Sequence, residues 1–168
     1  MLHISPALLT TACEDVANII SNRFKIIEAK FDFSQVFEDK AETTSVQFYY
    51  VYKDTIRFNI ASFTIKKIVR SNVLYAYDAL VEDNCRKRGV ASLLLNLILY
   101  LARSAGYTAV ACTIRNDNDI VKKLLQKTRW DLINLGDDTS FCIKKFKENK
   151  CICDTRTLMI SGCKCGGK

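Results

Sequence analysis

Arg86-Lys87-Arg88-Gly89-Val90-Ala91 places three basic side chains and a glycine where an apolar, strand-like run gives way to a long apolar helix. The first turn of a helix leaves backbone N–H groups without partners, and the macrodipole makes that end positive. A glycine lets the main chain come close to a ligand. Such a turn suits a phosphate or pyrophosphate. The plainer reading is a basic loop before a core helix, with Gly89 only relieving packing. A second set of chemistry-bearing residues is Cys151-x-Cys153, then nine residues, then Cys163-x-Cys165. Four thiolates in two pairs suit one tetrahedral Zn²⁺. Zinc ribbons more often use Cys-x-x-Cys, so disulfides or a metal-free Cys-rich tail stand beside zinc as readings. Of the other cysteines, Cys13, Cys112 and Cys142 read as small buried hydrophobes. Cys85, beside Arg86 and a helix start, is either a reactive thiol of lowered pKa or a surface bystander. The lone His3 reads as neither ligand nor base.

These residues must be held by a fold, and the composition says what kind. At 168 residues, 49% hydrophobic and 26% charged, the chain has the make-up of one globular domain with a real core. The longest apolar run, residues 90–102, is broken by Ser92 and Asn96 and falls short of the roughly 20 residues a bilayer span needs. Residues 1–11 lack a basic n-region and a cleavage-site pattern. The expectation is a soluble cytoplasmic protein with no membrane partner. Charge is uneven: residues 144–168 hold seven Lys/Arg against Glu148 and Asp154. We therefore divide the chain into a domain at 1–146 and a basic Cys-rich tail at 147–168. The tail is either a solvated, solubilising segment or a docking site for nucleic acid or an acidic partner.

Hydrophobic spacing predicts a helix over 12–30, with Thr10 or Thr11 as its N-cap. Residues 31–42 mix aromatic and acidic side chains and read as a loop with a short element. Strands follow at 46–52, 56–69 and 73–81, separated by a turn at 53–55 and a break at Ser71-Asn72. The low polarity of 73–81 suggests a central strand. A helix over 87–105 ends at Gly106. Then come a buried strand at 107–114, a loop with an N-cap at 116–119, a helix at 120–127, and two closing strands at 130–135 and 140–146 around Gly136-Asp137-Asp138. The strand–helix–strand unit over 73–114 should be parallel.

This order, with Arg86-x-x-Gly89-x-Ala91 between third strand and helix, resembles the GNAT N-acetyltransferase superfamily. Val81, five residues ahead of the arginine, also fits the family's pattern. The later family stretch Asn-x-x-Ala-x-x-x-Tyr-x-x-x-Gly-Phe is met in degraded form by Asn118, Val121, Leu125, Arg129 and Trp130. The resemblance implies an α/β fold with a mixed, mostly antiparallel, splayed sheet and helices on both faces. It implies acetyl transfer from acetyl-CoA to a primary amine on a protein N-terminus, a lysine or a small molecule. Carried over, backbone N–H groups of Arg86, Lys87, Arg88, Gly89, Val90 and Ala91 would grip the pyrophosphate. Leu80 and Val81 would pair with the pantetheine arm, the Ala79 N–H would polarise the thioester carbonyl, and Asn118 would complete the cofactor site. Tyr75, eleven residues before the arginine, takes the place of the base or water-ordering residue. Its competing role is strand packing, as Asn118's is helix capping and Trp130's is core. Asp78, the nearest carboxylate, should face away from Tyr75 unless a bulge turns it. The Tyr that commonly protonates the leaving thiolate falls on Leu125, which cannot donate; Tyr77, Cys112 or a water are the substitutes. Tyr75 and Tyr77 with the Tyr49-Tyr50-Tyr52 run frame either an acceptor slot or core. The rival reading keeps the fold and CoA binding without catalysis, and uses the tail to bind nucleic acid or a protein.

Overall fold

The computed structural model describes residues 4–38 and 40–147. The first helix, α1, runs Pro6–Phe24. The Ser5 hydroxyl accepts the Leu8 N–H, and Pro6 opens the first turn, where its missing N–H costs nothing. Leu9, Cys13, Val16, Ile20 and Phe24 then recur at helical spacing and are buried. The helix thus begins before the expected 12–30 span, so Thr10 and Thr11 lie inside it rather than capping it. It also ends earlier, because Lys25 turns to φ 49°, the left-handed region.

Residues taken for a loop form a ten-residue strand, β1, Ala29–Glu38. The mixture of aromatic and polar residues is the alternation of a strand buried on one side. Phe31 and Phe33 set their rings 5.4 Å from Tyr50 and 6.2 Å from Phe48. Asp32 and Ser34 point the other way. β2 (Thr43–Tyr52), β3 (Ile56–Lys67) and β4 (Val73–Val81) follow as antiparallel neighbours. A short 3₁₀ turn at Asp83–Cys85 leads to α2, Val90–Ser104. α2 starts later than the expected residue 87 because Gly89 is still non-helical at φ 75°; Ala105 caps its end and Gly106 follows at φ 82°. β5 (Ala109–Arg115), α3 (Asp119–Lys127), β6 (Asp131–Asn134) and β7 (Thr139–Lys145) complete the domain.

Among the described residues the sheet has seven strands in the order β1-β2-β3-β4-β5-β7-β6. Only β4 and β5 are parallel; β4 is the middle strand. The mixed, mostly antiparallel class expected from the sequence holds. The placement of the helices differs. α1 packs on β1 and on α2, and α2 covers β4 and β5. The Lys144 ammonium donates to the Thr128 and Arg129 carbonyls at the end of α3, from the side of β7 that also carries buried Cys142. All three helices therefore lie on one face. The alternate residues toward them, including Phe48, Phe63, Ile65, Leu74 and Val110, are fully buried. Each such side chain contributes roughly 1.5–3 kcal/mol by leaving water. The other face presents Ser34, Ser45, Gln47, Ser62, Thr64, Tyr75 and Tyr77, polar or amphipathic residues that need no helix over them. No helix of the described residues is long and apolar enough to cross a membrane.

Candidate functional site

β4 is where the sheet opens. It pairs with β5 only at Val73, Leu74 and Tyr75, opposite Ala109, Val110 and Ala111. On its other edge it stays with β3 as far as Val81, opposite Ala61. Past Tyr75 the two parallel strands have parted, leaving a wedge with one edge of β4 open. The Glu82 N–H bonds the Ile60 carbonyl on β3. By alternation, the Val81 backbone groups turn to the open side. There the Val81 carbonyl accepts from Arg86 Nε at 3.1 Å.

The expected facing of Asp78 is reversed by a bulge. Ser62 pairs with Leu80 and Thr64 with Tyr77, so Asp78 and Ala79 together stand opposite Phe63. Asp78 takes φ 51°. Two residues against one re-aims a side chain. Asp78 joins Ser34, Ser45, Gln47, Ser62 and Thr64 around a shallow depression of about 220 Å³ on the helix-free face. It shares that face with Tyr75 and Tyr77.

Tyr75 donates from its hydroxyl to Thr113 Oγ1 at 2.9 Å, bridging the two strands just where they part. Its ring stacks on that of Tyr77 at 5.9 Å. The Lys66 ammonium lies 5.6 Å from the first ring centroid and 5.3 Å from the second, a cation–π arrangement. Of the earlier tyrosine run, Tyr49 shares this face, with the Arg57 guanidinium 3.7 Å above its ring. Tyr50 instead stacks on Phe58 at 5.0 Å on the covered side. The run is thus divided between the helix-free face and the core.

Arg86, Lys87, Arg88, Gly89 and Ala91 are exposed, whereas Val90 is buried and anchors α2. Lys87 at φ 61° and Gly89 at φ 75° bend the chain twice within three residues. No side chain caps α2. Its first N–H groups therefore face outward with cations around them, as an anion site requires. Arg86 also pairs with Asp83 at 2.8 Å. A residue that local reading missed braces this turn: Arg23, at the end of α1, donates to the Arg88 carbonyl at 3.1 Å. A Cβ at residue 89 would lie 2.6 Å from Arg23 Nη1. The Arg88 guanidinium rests 4.5 Å from the Phe24 ring centroid. No signal in residues 86–91 could have pointed to a helix 65 positions away.

Other expected roles change. Cys85 is buried, and burial pushes its thiol up despite the lowering effect of Arg88. It is neither a surface thiol nor an activated one. The Cys112 thiol is pushed up to about 12 by burial, with Cys142 adding to the rise, so it is a poor proton donor. Leu125 is a core residue, 2% exposed. Trp130 is core as well. Asn118 caps α3, accepting the Val121 N–H at 3.3 Å. Cys151, Cys153, Cys163 and Cys165 lie outside the described residues. Among the described residues, no group of three or more His, Cys, Asp or Glu is placed to hold a metal.

Residues 14–129 match the model of a family described as the acetyltransferase (GNAT) family. No curated protein matches the chain. Solved structures do resemble it. A domain from Methanocaldococcus jannaschii DSM 2661 superposes with a TM-score of 0.55 at 9% identity, over 70% of this chain and 99% of that one. An acetyltransferase of the GNAT family from Staphylococcus aureus Mu50 gives 0.52 at 10% identity, over 85% and 96%. An IAA acetyltransferase from Bacillus cereus ATCC 14579 gives 0.53 at 10% identity, over 70% and 100%. At such identities the likeness is one of fold.

Proposed function

The chain belongs to the acetyltransferase (GNAT) family, whose members generally move an acyl group from acetyl-CoA to an amine, and we propose that it acetylates a primary amine by direct attack in a ternary complex. The acceptor amine sits on a protein N-terminus, a lysine or a small molecule. The observation that carries this reading is the turn of residues 86–91: exposed, cationic, twice left-handed, and set on an uncapped helix start.

The residues present fit acetyl-CoA. The backbone N–H groups of 86–91, with Lys87 and Arg88 beside them, would hold the pyrophosphate. Val81, whose backbone groups turn to the edge that β5 has left, would pair with the pantetheine arm; those of Leu80, expected to share that role, turn by the same alternation to β3. That pairing requires Arg86 to release the Val81 carbonyl, which couples arrival of the arm to movement of a phosphate-binding side chain. Bound acetyl-CoA supplies an acetyl thioester. The Ala79 N–H, in the bulge, would stabilise negative charge developing on the acetyl oxygen. Tyr75, bonded to Thr113, orders the site on the helix-free face where the amine enters. A thiolate whose pKa resembles that of cysteine, about 8.5, leaves without a strong acid, so Leu125 does not forbid the reaction.

Calorimetric titration with acetyl-CoA tests the reading. The parent should bind, and Lys87→Glu should weaken binding at least about tenfold, since 1.4 kcal/mol from one reversed charge suffices. Gly89→Glu should abolish it. Unchanged affinity in both variants would remove the site. The buried Leu125 favours one competing reading, a scaffold that binds acetyl-CoA without turnover. Thiol release in the presence of amines separates the two.

A further inference from the structure

We propose that Asp78 is the group that receives the acceptor's ammonium and takes its proton, a role that rests on the acetyl-transfer reading above. Asp78 holds φ 51° in the middle of a strand. Left-handed backbone is costly for any side chain other than glycine, with Asn and Asp the most tolerant. Mid-strand, it also breaks the ladder. Strain of this kind, roughly 1–3 kcal/mol, persists where the surrounding structure enforces it and clusters at functional sites. Here it moves a carboxylate from the helix-covered face, where it would be buried beside Phe63 and Ile65, to the face of Tyr75 and Tyr77.

The destination suits an amine. Asp78 is the one carboxylate lining the depression, whose other polar groups are neutral: Ser34, Ser45, Gln47, Ser62 and Thr64. Ser45 and Thr64 hydroxyls already pair at 2.9 Å on its floor. Two cations stand at its edge. Arg57 donates to Ser34 and Gln47, two of the lining residues, at 3.5 Å and lies over Tyr49. Lys66 lies over Tyr75 and Tyr77. An ammonium entering here finds one negative partner and several hydroxyls, and Asp78 must outweigh the repulsion of these two cations. The same bulge also carries the Ala79 N–H, so base and oxyanion donor are consecutive residues whose spacing is fixed by one backbone irregularity.

The step balances. Asp78 carboxylate takes one proton from R–NH₃⁺ and becomes the carboxylic acid. The freed nitrogen pair forms the bond to the acetyl carbon as the carbon–sulfur bond breaks. The thiolate leaves with that electron pair and takes the nitrogen's second proton. Asp78 then returns its proton to water.

The test is steady-state thiol release from acetyl-CoA with a panel of primary amines: a dipeptide with a free N-terminus, lysine amide, glucosamine and spermidine. Asp78→Asn should lower kcat/KM for the amine at least about 100-fold, the lower end of general-base contributions. Its acetyl-CoA affinity by calorimetry should stay within twofold. Asp78→Gly, which takes φ 51° without strain and should fold, should lose as much, and Asp78→Glu should recover part of the rate. Variants within threefold of the parent would overturn the assignment and leave acetyl transfer standing. Loss of acetyl-CoA affinity in step with rate would also overturn it, because Asp78 would then act only through the bulge. A parent with no thiol release on any amine overturns the acetyl-transfer reading, and this inference with it.

Discussion

The first and last thirds of β4 are built to opposite specifications. From Val73 to Tyr75 the strand is hydrogen-bonded toward β5, and Leu74 is fully buried beneath α2. From Asp78 to Val81 it keeps only β3, carries a bulge, and leaves Leu80 47% exposed. One stretch satisfies its backbone and fills space with apolar atoms. The other leaves an edge open and holds a residue in an unfavourable conformation. The contrast fits the proposed function: the start of the strand is fixed so strongly that its end can keep an edge open for a ligand to pair with.

Three substitutions sharpen or break that contrast. Leu74→Ala should have the largest effect on stability, about 2–5 kcal/mol by denaturant unfolding, for lost burial plus the cavity left behind. Its acetyl-CoA affinity per folded molecule should be unchanged. A loss below about 1 kcal/mol would mean that the start of β4 is not the anchor. Tyr75→Phe sits at the boundary. It removes the hydroxyl that reaches Thr113 and should cost about 0.5–1.5 kcal/mol. Turnover should fall while acetyl-CoA affinity holds; a rate equal to the parent's would leave Tyr75 a packing and bridging residue only. Leu80→Ala should be the smallest, within about 0.5 kcal/mol in stability. If it unfolds the protein like Leu74→Ala, the two ends are alike after all.

Much of this arrangement was legible in the chain. β4 has the bounds that alternation and low polarity set for it, and its parallel partner follows from the helix between them. The turn at 86–91 was readable because basic residues, a glycine and an apolar helix occur side by side. What escaped was set by distant partners. Phe31, Asp32 and Phe33 read as a loop because their alternation has meaning only once Tyr50 and Phe48 stand opposite. The early start of α1 was written in Ser5-Pro6, a cap signal outweighed by the apolar spacing further on. Asp78's facing turned on one unpaired residue, which shifts register without altering composition. The helix-free face was not foreseen because family resemblance speaks for helices on both sides. The polar residues at Ser34, Ser45, Ser62 and Thr64 carried the signal in alternate positions of three strands.

The brace from α1 to the turn has an evolutionary consequence. Position 89 keeps glycine for a backbone reason, a φ of 75° that strains any other residue, while the Arg23 guanidinium 2.6 Å from where a Cβ would stand is the far end of a flexible side chain and can move aside. Shortening residue 23 loses the brace but leaves that backbone obstacle in place. Among descendants of this sequence, residue 23 is therefore free to drift at the cost of the brace alone, and residue 89 should stay glycine in every such lineage.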